Sequence, residues 1–212
     1  MDTIVCFGDS NTFGFNPQDG SRYSCKHRWS GILKEKLKSH FNVIEAGCNN
    51  RTCYSTNPEN EDLTGYKALP KHINNQTKYL ILAVGLNDLQ KYYTSTDDEI
   101  RKGLLNLINI AKNINQEIKV IIFAPSKINE NILKSYFSML FNKEAIKKSI
   151  LMNKIYIEVA KENDISLYCI VLHLFIGIFF KRWRIVGQND ISRRYSGHCW
   201  HHQSTPAYDR GN

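Results

Sequence analysis

The sequence predicts an α/β protein: a three-layer α/β/α sandwich around a parallel sheet of about five strands. Two observations lead to this fold class. Short apolar runs rich in β-branched residues alternate along the chain with longer stretches whose apolar residues recur at helical spacing. Such alternation implies right-handed β-α-β crossovers, which place helices on both faces of a parallel sheet.

The predicted strands are short and mostly apolar. Tyr79–Val84 and Lys119–Ala124 are nearly continuous apolar runs, as expected for strands buried on both faces of a sheet. The full set of predicted strands is Thr3–Phe7, Asn42–Ala46, Tyr79–Val84, Lys119–Ala124 and Ile165–Val171.

Helical spacing occurs between these runs. Asp97–Asn113 begins with two acidic residues, which are favourable at a helix N-terminus. Leu63–Ile73 has the weakest pattern. The predicted helices are His27–Phe41, Leu63–Ile73, Asp97–Asn113 and Asn142–Asn163. The apolar stripes predicted for the three stronger helices are Trp29, Ile32, Leu33 and Leu37; Ile100, Leu104, Leu107, Ile108 and Ala111; and Ile146, Ile150, Met152, Ile155 and Val159.

Length and composition indicate a soluble globular chain. The 212 residues suit one α/β domain, and 42% hydrophobic with 23% charged residues is ordinary for such a domain. The net charge of +8 is shared equally between residues 170–212, with six basic against two acidic side chains, and the remaining 169 residues. No basic face with interleaved aromatic residues is visible, so we predict no nucleic-acid partner.

The cysteines and the first residues favour a cytoplasmic protein. Six cysteines without CxxC spacing are typical of a reducing compartment, and MDTIVCF enters a strand without the features of a signal peptide. Residues 167–180 are apolar for 14 residues, fewer than the roughly 20 that span a bilayer, so no membrane partner is predicted. The histidines around Cys199 lack a second ligand pair, so we predict neither a metal nor another cofactor.

Polar, glycine-bearing segments directly follow three of the predicted strands. They are Gly8-Asp9-Ser10-Asn11, Gly47-Cys48-Asn49-Asn50-Arg51-Thr52 and Gly85-Leu86-Asn87-Asp88. In an open parallel sheet, ligands bind beyond the carboxyl ends of the strands. The three segments are therefore expected to meet at one edge of the sheet although about forty residues separate them along the chain.

These segments contain the groups that acyl transfer needs. Ser10 leaves a strand where the chain turns and can expose its hydroxyl, while Gly47 and Asn87 can offer a backbone N–H and a side-chain amide. Together with the Ser10 N–H they would form an oxyanion hole, in which each donor contributes roughly 3 kcal/mol. Asp9 and Asn11 are interpreted as supporting residues that orient the loop. Arg51 could contact an acidic group of a substrate or pair with Asp88, and the structural role is favoured.

The three segments resemble the sequence blocks of the SGNH (GDSL-type) hydrolase family. The runs HRWSGIL and VIEAGCNNRT are similar to its small arylesterase and acyltransferase branch, and the resemblance covers about residues 3–169. It implies the SGNH hydrolase fold with a flavodoxin-like sheet, and a serine esterase that cleaves small carboxylic esters through a Ser10 acyl-enzyme. Ser10, Gly47 and Asn87 match the family's oxyanion hole, and a homo-oligomer is expected from the same branch.

One block of the family, an Asp-x-x-His near the C-terminus that supplies the general base, does not occur in the sequence. We therefore predict a hydrolase-like domain over residues 1–169 and an atypical segment over 170–212. The segment could be translated out of frame, the explanation we favour, because Arg182-Trp183 can read Asp-Gly in a neighbouring frame. It could instead be a divergent ending in which His198, His201 or His202 reaches Ser10, or the chain could be a non-catalytic relative.

Two other classes of function stay open. The first is a catalytically inactive binding module that keeps the ester pocket without turnover. The second is a nucleotide binder with a flavodoxin-like sheet, which is disfavoured because the sequence lacks a glycine-rich phosphate loop.

Overall fold

The computed structural model describes residues 1–58, 60–93 and 95–169. These residues form one five-stranded sheet in the order β2-β1-β3-β4-β5, and every pair of neighbouring strands is parallel. The strands are β1 (Asp2–Gly8), β2 (Phe41–Gly47), β3 (Thr77–Ala83), β4 (Lys119–Ala124) and β5 (Ser166–Cys169). The predicted α/β class and parallel sheet are confirmed.

Most strands begin or end one or two residues away from the predicted positions. The observed β1 extends to Gly8 because its backbone stays in register with both neighbouring strands up to that residue. The prediction placed the last strand at Ile165–Val171, and the structure describes it as far as Cys169. Residues 170 and 171 lie outside the described part of the chain.

The helices are α1 (Ser10–Phe13), α2 (Trp29–Leu37), α3 (Gly65–Ala68), α4 (Asp97–Ile114) and α5 (Lys143–Glu162). The predicted helix Leu63–Ile73 is wrong as a single element. The chain there makes a 3₁₀ turn at Glu61–Leu63, then α3, then a second 3₁₀ turn at Leu69–Lys71. Thr64 has an extended backbone and Pro70 lacks an N–H, so one continuous helix cannot form.

Helices cover both faces of the sheet. On one face, Val5 and Phe7 of β1 join a buried core cluster with residues of α4 and α5, including Leu104 and Met152. The alternate residues of β1, Ile4 and Cys6, are also buried but lie outside that cluster. The buried residues of α2, which packs on β2, likewise lie outside it; they are Ser30, Gly31, Leu33 and Leu37. The three-layer arrangement is therefore confirmed.

The long helices begin at well-defined caps. Thr96 and Glu99 form a reciprocal capping box at the start of α4, and the Asn142 side chain accepts the Ala145 N–H at the start of α5. The predicted stripe of α4 is fully buried. In α5 the prediction of Ile150 as a core residue is wrong, because the buried stripe passes through Ser149 and Tyr156 and leaves Ile150 46% exposed.

Among the helices of the described residues, none is both long enough and apolar enough to cross a membrane. Most of the apolar stretch 167–180 lies outside those residues.

Candidate active site

The carboxyl ends of three neighbouring strands, β2, β1 and β3, lie side by side. Gly8, the last residue of β1, is paired with Gly47 of β2 on one side and with Ala83 of β3 on the other. The Cys48 N–H donates to the Gly8 carbonyl at 3.1 Å, and the Asp9 N–H donates to the Ala83 carbonyl at 3.3 Å. The segments that follow β1, β2 and β3 therefore all leave the sheet at the carboxyl ends of the strands, as predicted. The strand order reverses direction between β1 and β3, and ligands of open α/β sheets bind at this switch point.

Ser10 is the first residue of the one-turn helix α1 and is half-buried. Asp9 caps the N-terminus of this helix: its side chain accepts the Asn11 N–H at 2.9 Å and the Asn11 side-chain amide at 3.1 Å. Gly14 caps the C-terminus with a left-handed backbone, φ of 83°. These two caps fix a one-turn helix directly after β1, and the candidate nucleophile Ser10 is its first residue.

Gly47 lies against the backbone of this turn. A Cβ atom at position 47 would come within 2.2 Å of the Phe13 nitrogen and 2.5 Å of the Thr12 carbonyl carbon. Any side chain at this position would push α1, and Ser10 with it, away from β2. The lack of a Cβ is therefore needed for packing, in addition to the role that the sequence predicts for its N–H.

Asn87 lies on a 3₁₀ turn, Leu86–Leu89, after β3. Its side chain is buried and held at both ends: the Nδ2 donates to the Arg51 carbonyl at 3.0 Å, and the Oδ1 accepts from Gln90 Nε2 at 2.9 Å. The turn starts at Gly85, whose φ of 128° is unfavourable for other residues. A Cβ at Gly85 would also lie 2.2 Å from the Tyr156 hydroxyl, which donates to the Val84 carbonyl at 2.7 Å.

Arg51 is structural, as interpreted from the sequence, but its partner is not Asp88. The guanidinium donates to the carbonyls of Gly8, Ala46 and Asp62 at 3.2, 2.5 and 2.9 Å and lies over the Phe7 ring. It thus satisfies carbonyl groups at the ends of β1 and β2. Burial lowers the pKa of Arg51 from its ordinary value.

Asp88 binds the loop after β2 to the turn after β3. Its carboxylate accepts the N–H groups of Cys53, Tyr54 and Ser55 at 2.5, 3.1 and 2.9 Å, and it is completely buried. Burial raises the pKa of the Asp88 carboxyl, and the three N–H donors oppose that rise. Asp88 therefore holds the loop that carries the Arg51 carbonyl, the acceptor for Asn87.

An open groove lies beside these residues. It has a volume of about 270 Å³ and its lining is mainly apolar. Asn11 and Leu86, which are next to Ser10 and Asn87 in the chain, form one side, and the segment after β4 forms the other. The lining residues of that segment are Ser126, Lys127, Ile128, Asn129 and Ile132. The Ile128 N–H donates to Ser149 Oγ at 3.0 Å, which anchors this side of the groove to α5.

Several sequence predictions concern residues beyond the described part of the chain. His198, His201 and His202, proposed as alternative bases, lie there. Within residues 1–58, 60–93 and 95–169, no group of three or more His, Cys, Asp or Glu side chains could hold a metal ion. Sequence interpretation did not identify Gln90, whose contact with Asn87 depends on a 3₁₀ turn too short to show a helical period. It also missed the hydrogen-bonding partners of Arg51, because these contacts join segments whose pairing depends on strand register.

A model of the GDSL-like lipase/acylhydrolase family matches residues 6–184. The match spans most of the chain, and the chain belongs to this family. It ends inside the segment 170–212 that the sequence marks as atypical. No protein of curated function matches the sequence.

Solved structures of enzymes have the same fold. The M. smegmatis aryl esterase is 26% identical, with a TM-score of 0.68 over 80% of this chain and 84% of that one. A carbohydrate acetylesterase from Sinorhizobium meliloti is 24% identical, with a TM-score of 0.67 over 80% and 84% of the two chains. A lipase/acylhydrolase from Enterococcus faecalis is 23% identical, with a TM-score of 0.57 over 79% and 75%. At 24% and 23% identity, the last two structures are evidence for the fold of this chain and not for its activity.

Proposed function

We propose that this chain is a serine esterase that cleaves small carboxylic esters. Ser10 attacks the ester carbonyl and forms an acyl-enzyme, the alcohol leaves, and water then releases the acid. The N–H groups of Ser10 and Gly47 and the Asn87 amide stabilise the oxyanion. The proposal depends on one observation. The carboxyl ends of β1, β2 and β3 are adjacent, so Ser10, Gly47 and Asn87 lie at or just beyond neighbouring strand ends.

The groove beside Asn11 supports a substrate with an apolar acyl or alcohol group. Its volume of about 270 Å³ exceeds the roughly 150 Å³ of an apolar cavity that holds benzene, so a short chain or a ring fits. Membership of a lipase/acylhydrolase family and the fold shared with an aryl esterase agree with ester chemistry. The resemblance implies that the base activating Ser10 comes from an Asp-x-x-His block, which this sequence lacks.

The test is hydrolysis of p-nitrophenyl acetate, butyrate and hexanoate by the wild type and Ser10→Ala. We expect the substitution to reduce kcat/KM by about 10-fold, because the nucleophile is removed; the loss is smaller than for a complete triad, whose members act as a unit and whose Asp-x-x-His block this sequence lacks. Ser138→Ala, at an exposed serine of a different segment, serves as the matched control and should retain wild-type rates.

A second readout is labelling by a fluorophosphonate probe, which should occur in the wild type and disappear in Ser10→Ala. A catalytically inactive binding module is the alternative function. Equal rates in wild type and Ser10→Ala, with no labelling of either, would support that alternative and end the esterase proposal.

A further inference from the structure

We propose that Gln90 is a positioning residue for catalysis, which fixes the orientation of the Asn87 carboxamide so that one N–H faces the substrate oxygen. This inference rests on the proposed function of Asn87 as an oxyanion donor. Gln90 itself does not touch the substrate in this proposal; it acts through Asn87.

The two ends of the Asn87 amide have different partners. Gln90 Nε2 donates to Oδ1 at 2.9 Å, and Nδ2 donates to the Arg51 carbonyl at 3.0 Å. Both Asn87 and Gln90 are only 7% exposed. An Asn amide nitrogen carries two hydrogens, and only one of them is used by Arg51. The second has no partner among the residues that the structure describes, which leaves one donor for a ligand.

The partners permit one orientation of the amide and oppose the other. With the Gln90 amide in its present orientation, turning the Asn87 amide by 180° would place Oδ1 against the Arg51 carbonyl oxygen and the NH₂ group against the Gln90 NH₂ group. Two buried hydrogen bonds would be lost, and two pairs of like groups would face each other. In that orientation an oxygen, not an N–H, would occupy the free position, and it would repel an oxyanion.

Local geometry explains why residue 90 can do this. Asn87 and Gln90 are three residues apart across a 3₁₀ turn, in which side chains at that spacing lie one above the other. The Gln90 N–H also donates to the Asn87 carbonyl at 3.2 Å and closes the turn. The two side chains are therefore held on the same side of the backbone.

The kinetic test replaces Gln90 by Glu and by Met. A carboxylate at position 90 cannot donate to Oδ1 and repels it, so we expect kcat to fall roughly 10- to 100-fold, approaching the loss of one oxyanion donor. KM should stay within about twofold, since the donor acts in the transition state. Gln90→Met removes the donor without repulsion and should reduce kcat by about 2- to 10-fold.

Two controls separate positioning from structure. Gln116→Glu makes the same charge change at an exposed turn and should leave kcat unchanged. In the Asn87→Ala background, Gln90→Glu should have no further effect on kcat, because the residue through which it acts is absent. Effects that multiply in the double variant, or a wild-type kcat in Gln90→Glu, would overturn the proposal.

A structural readout decides the same point without turnover. In isotopically labelled wild type, NMR should detect a coupling through the hydrogen bond between Gln90 Nε2 and the Asn87 side-chain carbonyl carbon. If wild type and Ser10→Ala show equal rates but the coupling is present, the esterase proposal fails while the hydrogen bond stands, and the catalytic role of Gln90 falls with it. If Ser10-dependent hydrolysis occurs and the coupling is absent, the positioning role alone is wrong.

Discussion

The carboxylate of Asp9 is buried beside the candidate nucleophile, and burial is the main reason that its pKa is raised from 3.8 to about 6. The neighbouring Asp88 raises the pKa further, while the Asn11 hydrogen bonds and the Arg51 guanidinium lower it. Both Asn11 donors reach the same oxygen, Oδ1. An uncharged amide could therefore cap α1 equally well, so the negative charge at position 9 is a cost to folding that the cap itself does not require.

Asp9→Asn should consequently change the pH dependence of stability. Well below pH 3.8 the carboxyl is protonated in both the folded and the unfolded state. As the pH rises through about 6, the wild type must bury a charge and loses about 3 kcal/mol of unfolding free energy, which the Asn variant keeps. Urea unfolding at pH 4 and pH 8 measures this difference.

Asp19→Asn is the control with the opposite sign. Hydrogen bonds from Ser21 lower the pKa of this exposed carboxyl, so its contribution to stability is present above the unfolded pKa and lost as the pH falls. If the difference in unfolding free energy between Asp9→Asn and the wild type is the same at pH 4 and pH 8, the account of Asp9 is contradicted.

At the scale of elements, the turn α1 is attached to β2 through an ion-pair network around Glu45. The Arg28 guanidinium donates to both Glu45 oxygens at 2.6 and 2.8 Å, and the Ser30 hydroxyl lies 2.7 Å from Oε2. The same hydroxyl lies 3.0 Å from the Thr12 carbonyl. Arg22, 3.6 Å from Glu45, donates to the Phe13 carbonyl at 2.7 Å. The Phe13 carbonyl at the end of α1 is thus bound by Arg22, which Glu45 pairs with, while the single hydrogen of the Ser30 hydroxyl can serve either Glu45 or the Thr12 carbonyl.

Glu45→Gln should loosen this attachment. Hydrogen bonds from Arg28 are the main reason that the pKa of Glu45 is lowered from 4.5 to about 2. The ion pair therefore stabilises the fold above about pH 4.5, and that stabilisation is lost as the pH falls through about 2. At pH 7 we expect a loss of about 2 to 4 kcal/mol in unfolding free energy, with a lower kcat from the displaced turn.

Urea unfolding and ester hydrolysis measure the two effects of Glu45→Gln. Glu35→Gln is the matched control, because Glu35 pairs with Lys38 on the exposed side of α2 and surface pairs contribute little. A Glu45→Gln protein as stable as Glu35→Gln would show that the network does not hold α1.

At the scale of the whole molecule, the family match extends to residue 184, yet the sequence contains no Asp-x-x-His. We predict that a neighbouring reading frame around codons 165 to 190 encodes this block, in agreement with the Arg182-Trp183 pair. Protein produced from that frame should hydrolyse p-nitrophenyl acetate about 10³-fold faster, because a base then activates Ser10.

Determining the coding sequence provides the first check on this prediction, and replacing the restored histidine by alanine should remove the gain. Absence of Asp-x-x-His from every frame would contradict it. The expected homo-oligomer also remains a prediction at this scale, which light scattering of the purified chain would test.

Periodicity and motif position were enough to predict much of the fold. The β-branched runs predicted all five strands of the described chain, and the stripe of α4 was predicted residue by residue. The turn α1 escaped prediction because four residues are too few to show a helical period. Ile150 was assigned to the core from its apolar character, whereas the polar Ser149 and Tyr156 occupy the buried stripe of α5.

For the site, the sequence by itself determined which residues stand at the strand ends: Ser10, Gly47 and Asn87. These could be predicted because a polar residue directly after an apolar strand must lie at the carboxyl edge of a parallel sheet. Only the tertiary structure decided which groups hold them: the Arg51 carbonyl and Glu45 from distant segments, and Gln90 through a local 3₁₀ turn whose shape the sequence does not reveal. Hydrogen bonds between distant residues depend on register and crossover geometry to within tenths of an ångström, and neither can be read from residue order.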